Sequence, residues 1–110
     1  MTYRLTNDEI ELKILSKLIH TAFGLGYSIS VFDGEEETLT KSISFVEVLQ
    51  AIRTTDEDTL SFHSPTEYVG RVWLFYGSGV DVIGDSTDNE KMTELLSPAM
   101  ALSVELEDMA

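Results

Sequence analysis

Hydrophobic and polar positions alternate between helical and strand periods along the chain. From residue 10 to residue 22 the apolar side chains recur at helical spacing and form one stripe, which consists of Ile10, Ile14, Leu15, Leu18, Ile19 and Ala22. Thr6 and Glu9 have the spacing of a capping box just before this stripe. The sequence therefore predicts a first helix that begins near Thr6 and is stopped by Gly24 and Gly26.

Strand periodicity follows this helix. Residues 27 to 32 (YSISVF) alternate apolar and small polar side chains, which predicts a strand with one buried face. Asp33-Gly34 then predicts a turn into a short return strand at residues 38 to 41. Residues 59 to 63 alternate in the same way and predict another strand, preceded by an acidic loop at residues 56 to 58.

The most apolar segment is VGRVWLFY, residues 69 to 76. Its apolar residues fall on both parities, which predicts a strand covered on both faces and places Trp73 in the core. Gly77-Ser78-Gly79 can supply positive φ angles and predicts a tight hairpin. The returning strand is then expected at residues 80 to 83.

Two more helices are predicted from their start signals. Ser44 and Glu47 have capping-box spacing before a short amphipathic helix, and Thr87 and Glu90 repeat that spacing before the last helix. Because proline lacks an amide hydrogen and clashes with the preceding turn, Pro98 predicts a kink or break, with Ser97 capping a new helix. The residues of the last helix that keep roughly one face are Met92, Leu95, Leu96, Ala99, Leu102, Ser103 and Leu106.

These elements predict an α+β domain spanning residues 1 to 110. The order is α-β-(β)-α-β-β-β-α, with short strands joined mostly by hairpins. Such an order favours an antiparallel sheet of four to five strands with the helices packed on one face. A single domain is also what a chain of 110 residues predicts.

Charge changes this picture more than any other aspect of composition. The chain has 20 acidic and 7 basic residues, a formal net charge of −13. Such a field repels nucleic acid and anionic lipid and attracts basic protein surfaces. No cysteine is present, and no long apolar run or signal-like start is visible, so we expect a cytoplasmic protein without disulfides or membrane spans.

Catalytic motifs are absent from the sequence. His20 and His63 have no nucleophile motif around them, and the two Gly-x-Gly steps do not open a phosphate-binding helix. Asp81, Asp85 and Asp88 carry oxygen ligands of the kind that calcium or magnesium takes, but their spacing matches no loop signature. The sequence therefore predicts a non-enzymatic protein with no cofactor and no metal; a divalent-metal-dependent enzyme is the less favoured alternative.

Four acidic clusters are candidates for a partner-binding surface. They fall in predicted loops and helix ends, where we expect them to be exposed, and solubility alone is the competing explanation. Whether they share one face does not follow from the sequence. The candidate residues are Glu35, Glu36, Glu37, Asp56, Glu57, Asp58, Asp85, Asp88, Glu90, Glu105, Glu107 and Asp108.

One long stretch carries a resemblance to a known group. VWLFYGSGVDVIGDSTDN, at residues 72 to 89, resembles the pattern YGNxxxDVIxDYTxN of small acidic proteins from phages and prophages of proteobacteria. GYSISVFDGEE and TTDEDTL are similar to other parts of the same family. Ser78 and Ser86 depart from its usual Asn and Tyr. The resemblance implies origin in a mobile element and assigns no reaction.

These observations together predict a small phage or prophage accessory protein. It is expected to bind and inhibit a host protein with a basic surface through its acidic residues, for example a nucleic-acid-handling or defence protein, by nucleic-acid mimicry. Direct nucleic-acid or membrane binding is not expected. The alternative is a self-associating structural domain whose acidity keeps it soluble.

Overall fold

The computed structural model describes residues 5 to 108 and has the predicted α+β architecture. A five-stranded antiparallel sheet is packed with three helices, in the predicted order. The elements are α1 (Asn7–Gly24), β1 (Ser28–Phe32), β2 (Glu37–Ser42), α2 (Phe45–Ala51), β3 (Glu57–His63), β4 (Tyr68–Phe75), a 3₁₀ turn (Gly79–Asp81), β5 (Ile83–Ser86) and α3 (Glu90–Glu107). Within residues 5 to 108, no helix has the length and hydropathy needed to cross a membrane.

The sheet has the strand order β2-β1-β3-β4-β5, so β3 is central. Side chains of β3 alternate strictly between the two faces, and Leu60 and Phe62 are fully buried under the helices. Thr59 and Ser61 point the other way and are only half-buried. We call this second side, which none of the three described helices covers, the open face.

The first helix begins as the sequence predicts. The Thr6 hydroxyl accepts the amide hydrogen of Glu9, and the Glu9 carboxylate accepts that of Thr6, so both halves of the capping box are formed. The helix ends at Gly24, and Gly26 turns the chain with φ +84°. The apolar stripe is fully buried against the sheet and α3, which contacts α1 along its length.

A buried carboxylate interrupts that stripe. Glu11 is 0% exposed and lies on the same helix face as Ile14, Leu15 and Leu18. Its two oxygens accept the Gly77 amide hydrogen at 3.1 Å each, and one oxygen also accepts the Gly79 amide hydrogen at 3.0 Å. Burying a charge is costly unless it is hydrogen-bonded, and here backbone amides supply the bonds.

The chain after β4 does not form the predicted tight hairpin, and the predicted returning strand is present but shifted, from residues 80 to 83 to Ile83–Ser86. Gly77 and Gly79 have φ of +90° and +60°, which turns their amides toward Glu11. The chain continues through the 3₁₀ turn and buries Val82 before β5 begins at Ile83. This loop is hydrogen-bonded to a helix that is distant in sequence, and the local turn residues do not indicate that contact.

The prediction that β4 is covered on both faces is also wrong. Val72 and Leu74 are fully buried beneath the helices, whereas Arg71 and Phe75 are exposed on the open face. Trp73 lies between them and is half-buried, outside the main core. Its ring is covered by the Arg71 guanidinium, whose central carbon is 5.0 Å from the ring centroid.

The last helix differs from its prediction at two points. It runs unbroken through Pro98, because the missing amide frees only the carbonyl of exposed Glu94, while Leu95 and Ala99 anchor both sides in the core. Its N-cap is Asn89, whose side chain accepts the Met92 amide hydrogen, so the predicted capping box from residue 87 to residue 90 is wrong.

Two residues of the predicted capping boxes, Thr87 and Glu47, form hydrogen bonds with strand residues instead of completing their boxes. Thr87 is engaged in pairing with Arg71 through both its backbone amide and its hydroxyl, which removes it from the helix start. In α2, the Ser44 hydroxyl caps the Glu47 amide as predicted. The Glu47 carboxylate accepts a hydrogen bond from the hydroxyl of Ser42, so the second half of that box is not formed.

Replacing Glu11 with alanine is expected to lower the free energy of unfolding by about 3 kcal/mol, since two loop amides lose their buried acceptor. Urea denaturation followed by circular dichroism measures this loss. The exposed Glu94→Ala is the matched control and should change it by less than about 0.5 kcal/mol. Equal effects of the two substitutions would contradict the role assigned to Glu11.

Candidate protein-binding surface

The topology brings three of the four acidic clusters to one end of the molecule. The β1–β2 turn, the start of β3 and the end of β4 share one end of the sheet, because neighbouring strands are antiparallel. α3 starts at the opposite end, after β5, and contacts the 3₁₀ turn at this end. We call the end of the molecule with the β1–β2 turn and the start of β3 the acidic end. Its exposed carboxylates are Glu35, Glu36, Glu37, Asp56, Glu57, Glu105, Glu107 and Asp108.

A depression of about 500 Å³ lies within the acidic end. The β1–β2 turn and the loop before β3 form its walls, with Asp33, Glu35, Thr55, Asp56 and Glu57 around it. Among residues 5 to 108, no basic side chain lines it. Four carboxylates around one depression produce a local negative potential, so this concavity is suited to a cationic group.

Asp33 fixes the shape of the turn on one side of this depression. Its carboxylate accepts the backbone amide hydrogens of Glu35 and Glu36, both at 2.9 Å. These two hydrogen bonds lower the pKa of Asp33 below its ordinary value, because they stabilise the charged form. The carboxylate therefore holds neighbouring acidic residues in place while keeping its own charge.

Asp58 is predicted as part of the acidic surface, and the structure places it inside the molecule. It is 2% exposed, because it occupies an inward-facing position of β3, which begins two residues earlier than predicted. The Tyr76 hydroxyl and the Arg53 amide both donate to its Oδ2 atom. Asp58 is thus an internal support of the loop before β3 and is unavailable to a partner.

Burial sets the protonation behaviour of this internal pair. It raises the pKa of Asp58 above the ordinary value of 3.8, against the effect of the Tyr76 and Arg53 hydrogen bonds. Burial and the hydrogen bond to Asp58 also raise the pKa of Tyr76 far above its ordinary value. Arg53 is held at φ +66° by this arrangement, and its guanidinium pairs with exposed Asp8 at 3.0 Å.

The fourth cluster lies away from the acidic end. Asp85 is on β5, opposite Trp73 on the open face, and its carboxylate accepts the Ser86 amide hydrogen. Asp88 and Glu90 are exposed where α3 starts, at the opposite end of the sheet. That end also carries an ion pair between Lys91 and Glu67, so its charge is mixed.

The open face carries a group of aromatic side chains that the sequence does not place there. Phe32, Phe75 and Tyr68 are exposed and Trp73 is half-buried. The sequence signal for them is parity: residues 28, 30 and 32 share one face of β1, and residues 71, 73 and 75 share one face of β4. Reading β4 as doubly covered hides that signal.

Both histidines have packing roles in the structure. The His20 ring stacks on Phe45, with centroids 4.2 Å apart and an interplanar angle of 8°. His63 is half-buried on the open face beside Tyr68, with ring centroids 5.5 Å apart. Burial, assisted by the Lys41 charge, lowers the pKa of His63 below its ordinary value.

The oxygen ligands considered for a metal are dispersed. Asp81 lies in the 3₁₀ turn, Asp85 on β5 and Asp88 before α3, on three different elements. Across residues 5 to 108, no group of three or more His, Cys, Asp or Glu side chains has a metal-binding arrangement.

Comparisons of this chain with protein-family models, with curated proteins and with solved structures found no match in any of the three. The resemblance to acidic phage proteins thus stays a prediction based on the short motifs quoted above.

Replacing Asp58 with asparagine is expected to change how stability depends on pH. Because its pKa is raised on folding, the folded protein holds this proton more tightly, and the Asp58 contribution is lost as pH rises from about 4 through the raised pKa. The variant has no such loss. The unfolding free energy of the variant minus that of the wild type should therefore increase as pH rises over this range and then level off.

Urea denaturation of both proteins between about pH 4 and about pH 7 measures this difference. Tyr76→Phe is the companion variant: it removes a donor to the charged carboxylate, which should raise the Asp58 pKa further and extend the loss to higher pH. A difference between wild type and Asp58→Asn that does not vary with pH would contradict the assignment.

Proposed function

We propose that the protein is a non-enzymatic binding protein that engages a basic protein surface through its acidic end. The observation that carries the proposal is the convergence of two acidic clusters around a depression lined by Asp33, Glu35, Asp56 and Glu57, with the third cluster at the same end of the molecule. Acidity that serves solubility alone needs no such grouping. Arg53, which lies in the same loop, has its charge already paired with Asp8.

Electrostatics supports a protein partner over nucleic acid. With a net charge of −13, the chain repels phosphate backbones and accelerates its encounter with a cationic surface. Phosphates of nucleic acid present regularly spaced negative charges, and exposed carboxylates can compete for the same cationic groove. The more specific proposal is a phage or prophage accessory protein that inhibits a host nucleic-acid-handling or defence protein by occupying that groove.

Neutralising the acidic end should weaken binding more than neutralising the same number of charges elsewhere. Glu35→Gln, Glu36→Gln and Asp56→Asn together remove three exposed charges there. We expect capture of basic proteins from bacterial lysate to weaken about tenfold, since each exposed pair contributes up to about 1 kcal/mol. Quantitative pull-down at low and high salt, with mass spectrometry of the bound proteins, measures this.

The control removes the same charge at the other end, through Asp88→Asn, Glu90→Gln and Glu94→Gln. Because both triple variants change the net charge equally, a difference between them reports position. Captured proteins should be released by high salt and by added DNA of the length that they bind. Equal losses for both variants, or no basic protein captured at low salt, would rule out a binding role for the acidic end.

Self-association is a second candidate, favoured by two apolar side chains on the outer flank of α3. Met100 and Val104 lie one helical turn apart and are exposed, and Val104 is 68% accessible. Light scattering after size exclusion tests this. A dimer in the wild type that Val104→Glu converts to a monomer would support it, and a monomer at high protein concentration would remove it.

A further inference from the structure

Three aromatic side chains of the open face each lie directly opposite a carboxylate. Phe32 on β1 is paired with Glu37 on β2, Phe75 on β4 with Glu57 on β3, and Trp73 on β4 with Asp85 on β5. Directly paired residues on neighbouring antiparallel strands project from the same face, within contact distance of one another. The open face thus repeats one combination in its strand pairing, an aromatic residue paired with an acidic one.

This combination fits a guanidinium group. A guanidinium stacks on an aromatic face and simultaneously donates hydrogen bonds to a carboxylate through its planar fork, which the compact ammonium of lysine does less well. The sheet already holds one guanidinium stacked on a ring of this face: Arg71 lies over Trp73, 5.0 Å from the ring centroid. Arg71 of the same chain therefore already occupies the Trp73 ring. The pairs Phe32–Glu37 and Phe75–Glu57 have no such occupant among the described residues.

The two open combinations lie at the acidic end. Phe32 is 41% exposed and Phe75 is 39% exposed, at the ends of β1 and β4 that adjoin the depression. One strand, β3, separates β1 from β4, so these two strands lie about 10 Å apart across the sheet, and their aromatic positions are offset along β3, opposite Thr59 and Glu57. The ring of Phe75 lies over Gly84 of β5, where an added Cβ would meet ring atoms at 2.1 and 2.2 Å. The ring occupies space that any side chain at position 84 would fill.

We propose that these two aromatic–carboxylate pairs dock arginine side chains of the basic partner. The proposal rests on the proposed function and names the partner's chemistry: an arginine-rich segment laid across the ends of β1, β3 and β4. Charge complementarity selects this occupant. The carboxylates beside each ring repel the phosphates of a nucleic acid, whose bases would otherwise stack on the same rings.

Oligoarginine and oligolysine peptides of equal length and charge separate arginine recognition from general charge attraction. Trp73 is the only tryptophan of the chain and lies on the open face, so its fluorescence follows binding to the wild-type protein. We expect the arginine peptide to bind about fivefold more tightly than the lysine peptide at low salt.

Phe32→Leu keeps an apolar side chain and removes one of the two rings, so it should reduce arginine-peptide affinity toward the level of the lysine peptide. Tyr68→Leu is the matched control: Tyr68 is an exposed aromatic of the same face, but its neighbour is His63. It should leave both affinities unchanged. Glu37→Gln, an exposed surface substitution, tests the carboxylate of the same pair and should also reduce the preference for arginine.

The outcomes separate the two proposals. If both peptides bind equally and neither Phe32→Leu nor Glu37→Gln changes this, the arginine site is overturned while charge-driven binding at the acidic end stands. If neither peptide binds at low salt, the proposed function fails as well. Tighter arginine binding that is reduced in both variants and kept in Tyr68→Leu supports the site.

Discussion

The buried carboxylate of Glu11 joins the helical layer to the loop that follows the sheet's most apolar strand. Helix α1 buries this charge within its apolar stripe, where only hydrogen-bond donors can compensate its desolvation. The amides of Gly77 and Gly79 supply them, and both glycines adopt positive φ to do so. The 3₁₀ turn begins at Gly79, within this contact, and β5 starts only after it, at Ile83.

The same end of the molecule contains a second internal carboxylate, with a different task. Asp58 holds the loop before β3 through the Arg53 amide and receives the Tyr76 hydroxyl from the end of β4. Carboxylates of the acidic end thus divide into two groups. Inward ones fix backbone geometry through hydrogen bonds, whereas outward ones, such as Asp56 and Glu57, give the end its charge. A count of acidic residues does not separate these groups, because they are adjacent in sequence.

Placing the helices on one side of the sheet gives the molecule its second distinctive surface. Five short strands with helices on one side leave the other side without cover, and its aromatic side chains stay accessible. Cross-strand register then pairs them with acids. The aromatic positions and the acidic end adjoin at the ends of β1 and β4, so a cationic partner can meet charge and ring together.

The sequence by itself determined the α+β class, the order of elements, the start of α1 and the net charge, since these depend on local periodicity, capping and composition. The buried position of Glu11 was not predicted from the sequence, although its spacing from Ile14, Leu15 and Leu18 places it on the apolar stripe. Tertiary structure decided the rest. Thr87 pairs with a strand instead of capping a helix, and Asp58 turns inward because β3 begins early. The gathering of three acidic clusters at one end depends on which strand ends are neighbours, and only long-range pairing fixes that.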